Sequence, residues 1–383
     1  VTALSIIGWT CTALAAVGSL YTVVAAISVR RFFTLRTGPS SSDAAVTILK
    51  PLHGAEPRLF ENLSSFLTLD HHGPVQMVCG VQRGDDPAID AVNALRAAFP
   101  DARIDLVVDG TPHGANGKIA NLINMSASIA HSLVVLSDSD IAVAPDYLSQ
   151  LITALESPDA GVATCLYRGR GDAGFWSRLG AAGLSYQFLP NAVFATVTGQ
   201  VGDACMGSTI ALRRETLEAI GGFARFADIL ADDHAIGAAV RAIGLTVKIP
   251  PMLVTHGSDD ARLSALWQHE LRWAATVRGV AGGAAYAGSL ITLPFPLALI
   301  AAILHPAAGL VMLAIALLSR WFVLRAVDRV AGHPTASFAL LPVRDVMSFA
   351  IFVASFCVRS VDWRGHRLRM RDHGRIAVNT ELH

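Results

Sequence analysis

"NGKIANLINMSASIAHSLVVLSDSD", residues 116–140, is the stretch that decides the fold. It starts as a helix and passes into the short apolar run "LVVLS", which reads as a buried strand. It ends in two carboxylates two positions apart, Asp138 and Asp140. The same alternation runs from Ala44 to about Ile249. "VTILK", "VQMVCGV", "IDLVV" and "GVATCLY" are further β-rich runs, while "RLFENLSSFL", "DAVNALRAAF" and "PDYLSQLITALE" carry helical patterns. Strand and helix taking turns implies an α/β fold with a mainly parallel sheet covered on both faces. Ligands of such sheets bind beyond the carboxyl ends of the strands, where Asp85, Asp86, Asp138 and Asp140 fall.

The remaining sequence points to a bilayer. The chain of 383 residues is 52% hydrophobic and only 16% charged, with mean hydropathy +0.47. Leu4–Val29 holds no charged residue over 26 positions, enough to cross a hydrocarbon core of roughly 30 Å. A cleaved signal peptide is the competing reading, but the run is long for one and lacks a basic start. Residues 1–30 are therefore expected to be a transmembrane anchor, and Arg30, Arg31 and Arg36 place the adjoining domain in the cytoplasm. A second apolar zone, Gly279–Ser319, suits a helical hairpin bent at its prolines. A third, Ala331–Val358, is interrupted by Arg344 and Asp345, so a re-entrant, interfacial or tilted segment is expected there. The expected layout is an anchor, a cytoplasmic domain over 44–278, a membrane region over 279–358 and a basic cytoplasmic tail over 359–383.

Composition also excludes. Thirty basic and thirty acidic residues cancel, so no global field would draw nucleic acid. Five scattered cysteines without CxxC spacing argue for reduced thiols and against structural zinc. His53, His234 and His256 lack an i,i+4 histidine partner, which makes histidine metal ligation unexpected. No GxSxG, Walker A or HExxH is present.

Each candidate group has a structural reading and a chemical one. Asp138 and Asp140 are either a polar turn that caps the next helix or carboxylates for Mg²⁺ or Mn²⁺ against phosphate oxygens. Lys118 opens a helix, a place suited to an anion or simply to solvent. Asp232 and Asp233 open another helix, as capping acids or as a general base. Arg272 and Trp273, in "QHELRW", fit either a membrane boundary or a phosphate fork with an acceptor wall.

Taken in order, "DDPAID", "SDSD", "ADDH" and "HELRW" resemble the D, DxD, D and (Q/R)xxRW signatures of membrane-bound inverting glycosyltransferases with a GT-A domain. "LKPLHGAEPRLFENL", "NGKIANLIN", "PVRDVMSF" and "VDWRGHRLRM" look like the ceramide glucosyltransferase family, family 21. The resemblance spans residues 46–375. "VATCLYRGR" and "SYQFLPNAVFA" resemble its bacterial branch associated with hopanoid biosynthesis, which implies transfer of N-acetylglucosamine from its UDP-sugar to bacteriohopanetetrol. A ceramide glucosyltransferase using UDP-glucose is the alternative, and a UDP-sugar-binding membrane scaffold without turnover is a second one.

By that resemblance Asp86 contacts uridine, with Asp85 as the alternative, and Lys118 helps hold the nucleotide. Asp138 and Asp140 seat the Mg²⁺ or Mn²⁺, Asp233 is the catalytic base, and Arg272 and Trp273 form the RW pair. His269 stands where the motif has Gln or Arg, which leaves the role of that position open. The resemblance implies a multi-pass protein of the inner, plasma membrane with its catalytic domain in the cytoplasm. A processive polysaccharide synthase shares such motifs, but it needs more helices to form a channel, and a transporter would leave the large soluble domain unexplained.

Overall fold

Paired side chains that alternate along each strand build the core. In the computed structural model Ile48, Met77 and Val135 pack into one buried layer, while their neighbours Leu49, Val78 and Val134 pack into the other. A period of two in side-chain direction, with both faces apolar, is what a sheet covered on both sides demands. The structure describes residues 2–35, 42–200 and 205–358, and the backbone alone of 360–363, 366–370 and 376–378. Arg36 and the side chains of the basic tail expected over 359–383 lie outside the described residues.

The chain opens with α1 (Ala3–Phe32), followed by β1 (Val46–Pro51), α2 (Leu59–Ser65), β2 (Val75–Val81), α3 (Ala88–Ala98), β3 (Arg103–Val108), α4 (Gly117–Met125) and β4 (Leu133–Leu136). Next come β5 (Ile141–Ala142), α5 (Tyr147–Leu155), β6 (Ala160–Thr164), β7 (Leu166–Gly171), α6 (Phe175–Gly183), α7 (Leu189–Val197), β8 (Ile210–Arg213) and α8 (Arg214–Ala219). Beyond them lie α9 (Asp232–Ala242), β9 (Thr246–Lys248), β10 (Leu253–Ser258), α10 (Leu263–Ala281), α11 (Gly283–Gly288), α12 (Pro294–Leu304), α13 (Pro306–Ala331) and α14 (Leu340–Ser355).

Two compact units result. Residues 42–167 and 205–259 form a sheet unit, and residues 2–35, 168–200 and 260–358 form a helical one. Residues 168–200 and 260–278, which the sequence pattern assigns to one domain over 44–278, thus cluster with the apolar helices.

The sheet unit carries seven strands in the order β3-β2-β1-β4-β8-β6-β9. Four of the six neighbouring pairs are parallel, and β8 runs antiparallel to both β4 and β6. The sheet is therefore mixed but mainly parallel. From β1 the chain moves outward through β2 and β3, then returns to add β4 on the other side of β1. That reversal opens the crevice in which doubly wound sheets bind ligands.

In the helical unit α1 packs against α12 and α13, which pack on each other. Among the described residues two helices are long and apolar enough to cross a membrane, Ala3–Phe32 and Pro306–Ala331. A third candidate is the pair Gly283–Thr292 and Pro294–Leu304, bent by 75°. Leu4, Trp9, Leu20 and Ile27 on α1 and Leu310, Leu318 and Phe322 on α13 expose apolar surface, as lipid contact requires. The sixteen residues of α14 fall short of the roughly 20 that a full span takes.

The adjacent Arg344 and Asp345 do not pair with one another in this unit. Asp345 meets Arg320 of α13 at 2.9 Å, and Arg344 meets Glu270 of α10 at 2.6 Å. Each buried charge is thereby neutralised by protein rather than exposed to lipid. Between α6 and α7 lies one wide π turn, Leu184–Phe188. Pro190 has no N–H to give the carbonyl four residues before it, and a π turn relieves the crowding that a proline brings. The Tyr186 carbonyl accepts instead from Arg320 at 2.7 Å.

Candidate active site

The acid turn continues directly from β4. Four buried residues carry that strand into the sheet, Ser137 N donates to the Leu49 carbonyl at 3.1 Å, and the chain then turns through Asp138, Ser139 and Asp140. The turn sits beyond the carboxyl ends of β1 and β4, at the switch point.

Three further segments of the same unit close on it. Asn116 caps α4, accepting from Lys118 N and Ile119 N at 3.0 and 3.1 Å, and its amide donates to the Ile229 carbonyl at 2.7 Å. This ties the start of α4 to the loop that leads into α9. Lys118 consequently places its ammonium 2.7 Å from Asp138 Oδ1 and 3.7 Å from Asp232 Oδ2. The first turn of α9 presents Asp232 and Asp233. Asp233 Oδ2 accepts from Gly207 N at 3.0 Å and Oδ1 from His234 N at 2.7 Å. A Cβ on Gly207 would stand 3.2 Å from Asp233 Oδ2, so a side chain there would press on the carboxylate.

The electrostatics arise from four carboxyls gathered around Lys118 and Lys50. Burial raises the Asp232 and Asp140 carboxyls. Burial, reinforced by repulsion from Asp232, raises Asp233 to about 6. Burial alone would lower the Lys118 ammonium, but Asp138 and Asp232 outweigh it and raise it. Lys50, fully buried at the end of β1, is pulled down to about 7 by burial, with Asp138 and Asp140 opposing.

His256 escapes a search for histidine pairs along the chain. β10 lies antiparallel to β5 and sets His256 opposite Ile141. Its Nε2 is 3.5 Å from Asp140 Oδ2, and its Nδ1 is 2.8 Å from the Gly257 carbonyl. A carbonyl only accepts, so Nδ1 carries a hydrogen, and Nε2 is the ring atom turned to the carboxylate. Asp140 Oδ1 is buried with no hydrogen-bond partner. A ring nitrogen and an unsatisfied carboxylate oxygen side by side are atoms of the kind that suit a divalent cation. Among the described residues no three His, Cys, Asp or Glu side chains converge as a complete metal cage. Such a cation would need oxygens from its substrate as well, which is the habit of Mg²⁺ at phosphate sites.

The remaining sequence candidates divide between the two units. Asp86 is buried, and its Oδ1 accepts from Gly54 N and Ala88 N, both at 2.9 Å. It thus fixes the loop after β1 to the start of α3. Asp85 is exposed and forms a two-pronged pair with Arg83 at 2.8 and 2.6 Å. Lys118 is held by carboxylates rather than presented to solvent. In the helical unit, His269 of α10 lies 3.1 Å from Asp260 and packs edge-on against Trp273 at 4.6 Å between ring centroids. Arg272 and Trp273 are half-buried.

A switch-point crevice with clustered carboxylates, on a mixed sheet of this strand order, defines a nucleotide-sugar transferase architecture, and sequence comparison agrees. The family profile described as Glycosyl transferase family 21 matches residues 10–376. The chain belongs to that family. Ceramide glucosyltransferase 1 of Caenorhabditis elegans is 25% identical over 238 residues, 61% of this chain and 50% of that protein. Ceramide glucosyltransferase 3 of the same organism is 26% identical over 246 residues, with the same coverage. The chain thus spans about half the length of the curated relatives it matches. Among solved structures, a mannosyltransferase from Pyrobaculum calidifontis in complex with GDP-Man and Mn²⁺ superposes with a TM-score of 0.55 at 20% identity, covering 92% of this chain and 98% of that one. That likeness is one of fold, and the fold is GT-A.

Proposed function

We propose that the protein transfers a hexose from a UDP-sugar to a hydroxyl of a membrane lipid, with inversion at the anomeric carbon. The observation that carries this reading is Asp233, a half-buried carboxyl raised to about 6, anchored by Gly207 N and set among the acids of the switch point. A carboxylate of that basicity is matched to accepting a hydroxyl proton near neutral pH. As the lipid oxygen bonds to the anomeric carbon, its proton passes to Asp233. The bond from that carbon to the diphosphate breaks, and UDP leaves with the electron pair.

Asp138 and Asp140 are the residues that would hold Mg²⁺ or Mn²⁺, with His256 beside Asp140, and the ion when bound would neutralise charge on the leaving diphosphate. Lys118 exchanges its carboxylate partners for a diphosphate oxygen. Asp86 shapes the uridine side of the crevice, and the exposed Asp85 is the weaker candidate for it. By the family resemblance Arg272 offers a fork to phosphate and Trp273 a wall for the acceptor, with His269 packed against that wall.

The apolar helices support a lipid acceptor delivered from the bilayer of the plasma membrane and a catalytic unit on its cytoplasmic side. The named relatives favour ceramide and UDP-glucose over bacteriohopanetetrol and UDP-N-acetylglucosamine. The test is to incubate detergent-purified protein with each sugar donor and each lipid, with and without Mn²⁺, and to read lipid products by mass spectrometry. Glucosylceramide is the expected product. A glycosylated hopanoid would move the acceptor to the other lipid, and no product from any pair would sink the reading.

A further inference from the structure

The backbone of the acid turn is gripped from beneath by three separate elements. The Asp138 carbonyl accepts from Lys50 Nζ at 2.9 Å, the Ser139 carbonyl from Asn62 Nδ2 at 3.3 Å, and the Asp140 carbonyl from Gly257 N at 2.8 Å. Three successive carbonyls turned into the protein leave the side chains of Asp138 and Asp140 to meet Lys118 and His256. Among the three donors Lys50 alone carries charge. It is fully buried, its ammonium also donates to Ser137 Oγ at 3.0 Å, and it sits 3.4 Å from the centroid of the Phe66 ring.

A strand end in the sheet interior gains nothing from an ammonium that a methionine of similar length would not supply by packing, and burying the charge is costly. What the ammonium does supply is a pair of directed hydrogen bonds to consecutive residues, Ser137 and Asp138, across the gap between β1 and β4. The phenyl face accepts its remaining positive field. The β1–β4 ladder ends with Ser137 N on the Leu49 carbonyl, and the Lys50 side chain carries the connection one residue further, to Asp138.

We propose that Lys50 is a positioning residue: an internal amine donor, seated on Phe66, that holds the Asp138–Asp140 turn in the conformation able to take a divalent metal. This rests on the glycosyl-transfer reading for its catalytic consequence but not for its metal consequence. Lys50 touches the turn and not the substrate, so its effect passes through Asp138 and Asp140.

The experiment measures Mn²⁺ affinity by electron paramagnetic resonance on the full-length protein in detergent, with UDP present to supply diphosphate oxygens and no sugar donor, alongside thermal unfolding and transfer kinetics. Lys50→Met is expected to weaken Mn²⁺ binding about tenfold and to lower kcat by a similar factor. Ser137→Ala, which removes one of the two hydrogen bonds without burying a new group, is expected to weaken Mn²⁺ binding about threefold with an unfolding temperature close to wild type. Should Lys50→Met fail to fold, Ser137→Ala decides alone. Wild-type Mn²⁺ affinity in the folded variants overturns the proposal, as does a wild-type protein that binds no Mn²⁺. Weakened Mn²⁺ binding in a protein that transfers no sugar would uphold the role of Lys50 and strike the transfer reading instead.

Discussion

The helical unit and the sheet unit both bury charge, but they treat it in opposite ways. In the helical unit each buried arginine has its own counter-charge: Arg320 with Asp345, Arg344 with Glu270. In the sheet unit Asp138, Asp140, Asp232 and Asp233 share Lys118 and Lys50, four acids around two amines. Pairwise balance is what holds helices in register inside an apolar setting. An excess of acid at a crevice stores a demand for a cation and a proton, and that demand is a functional signature.

Substitutions can break this contrast. The largest effect is expected at Asp233. Asp233→Asn should lower kcat about 10³-fold, the span of a lost general base, while the protein stays folded. Its folded carboxyl titrates near 6, above the ordinary carboxylate value, so the folded state loses stability as pH rises through 6. Asp233→Asn should therefore unfold at a higher temperature than wild type at pH 8 and not at pH 4. Wild-type turnover should climb as pH rises through about 6. Wild-type kcat in the Asn variant would remove Asp233 from the mechanism.

Next comes the balanced region. Arg320→Met leaves Asp345 buried without its partner and should cost about 3–5 kcal/mol in unfolding free energy. Arg320→Met combined with Asp345→Leu should recover most of that loss, because a removed pair leaves no stranded charge. A double variant as unstable as the single one would show that the pair is not a self-contained unit. Asp140→Asn should weaken Mn²⁺ binding about tenfold or more, read by direct titration, with little change in unfolding temperature. The smallest effect belongs to the exposed Asp85: Asp85→Ala should leave transfer kinetics within about twofold of wild type, since a surface pair with Arg83 contributes little.

The parallel half of the sheet is legible in the sequence because each strand is a short β-rich run between helical patterns, and β1, β2, β3, β4 and β6 each overlap one of those runs. The reversal at β8 is not, since "IALR" has the same local pattern in either direction and only its partners β4 and β6 set its sense. The acids at 138, 140, 232 and 233 are legible as motifs, being neighbours along the chain. His256 and Lys50 are not. His256 reaches Asp140 only through the β10 to β5 pairing, more than a hundred residues away in sequence. Lys50 reads as the polar end of a strand until β4 is laid beside β1. Hydropathy ends the second apolar zone at Ser319 because Arg320 comes next, yet α13 runs on to Ala331, since Asp345 neutralises that arginine inside the fold.

The π turn at Leu184–Phe188 binds two distant positions into one choice. A proline at 190 orphans the Tyr186 carbonyl, and the arginine at 320 adopts it. A relative that loses Arg320 while keeping Pro190 strands an acceptor in an apolar interior, whereas one that restores an N–H at 190 leaves position 320 answerable to Asp345 alone. Across related chains positions 190, 320 and 345 should change hands together, leaving a mark of the helix irregularity in sequence covariation.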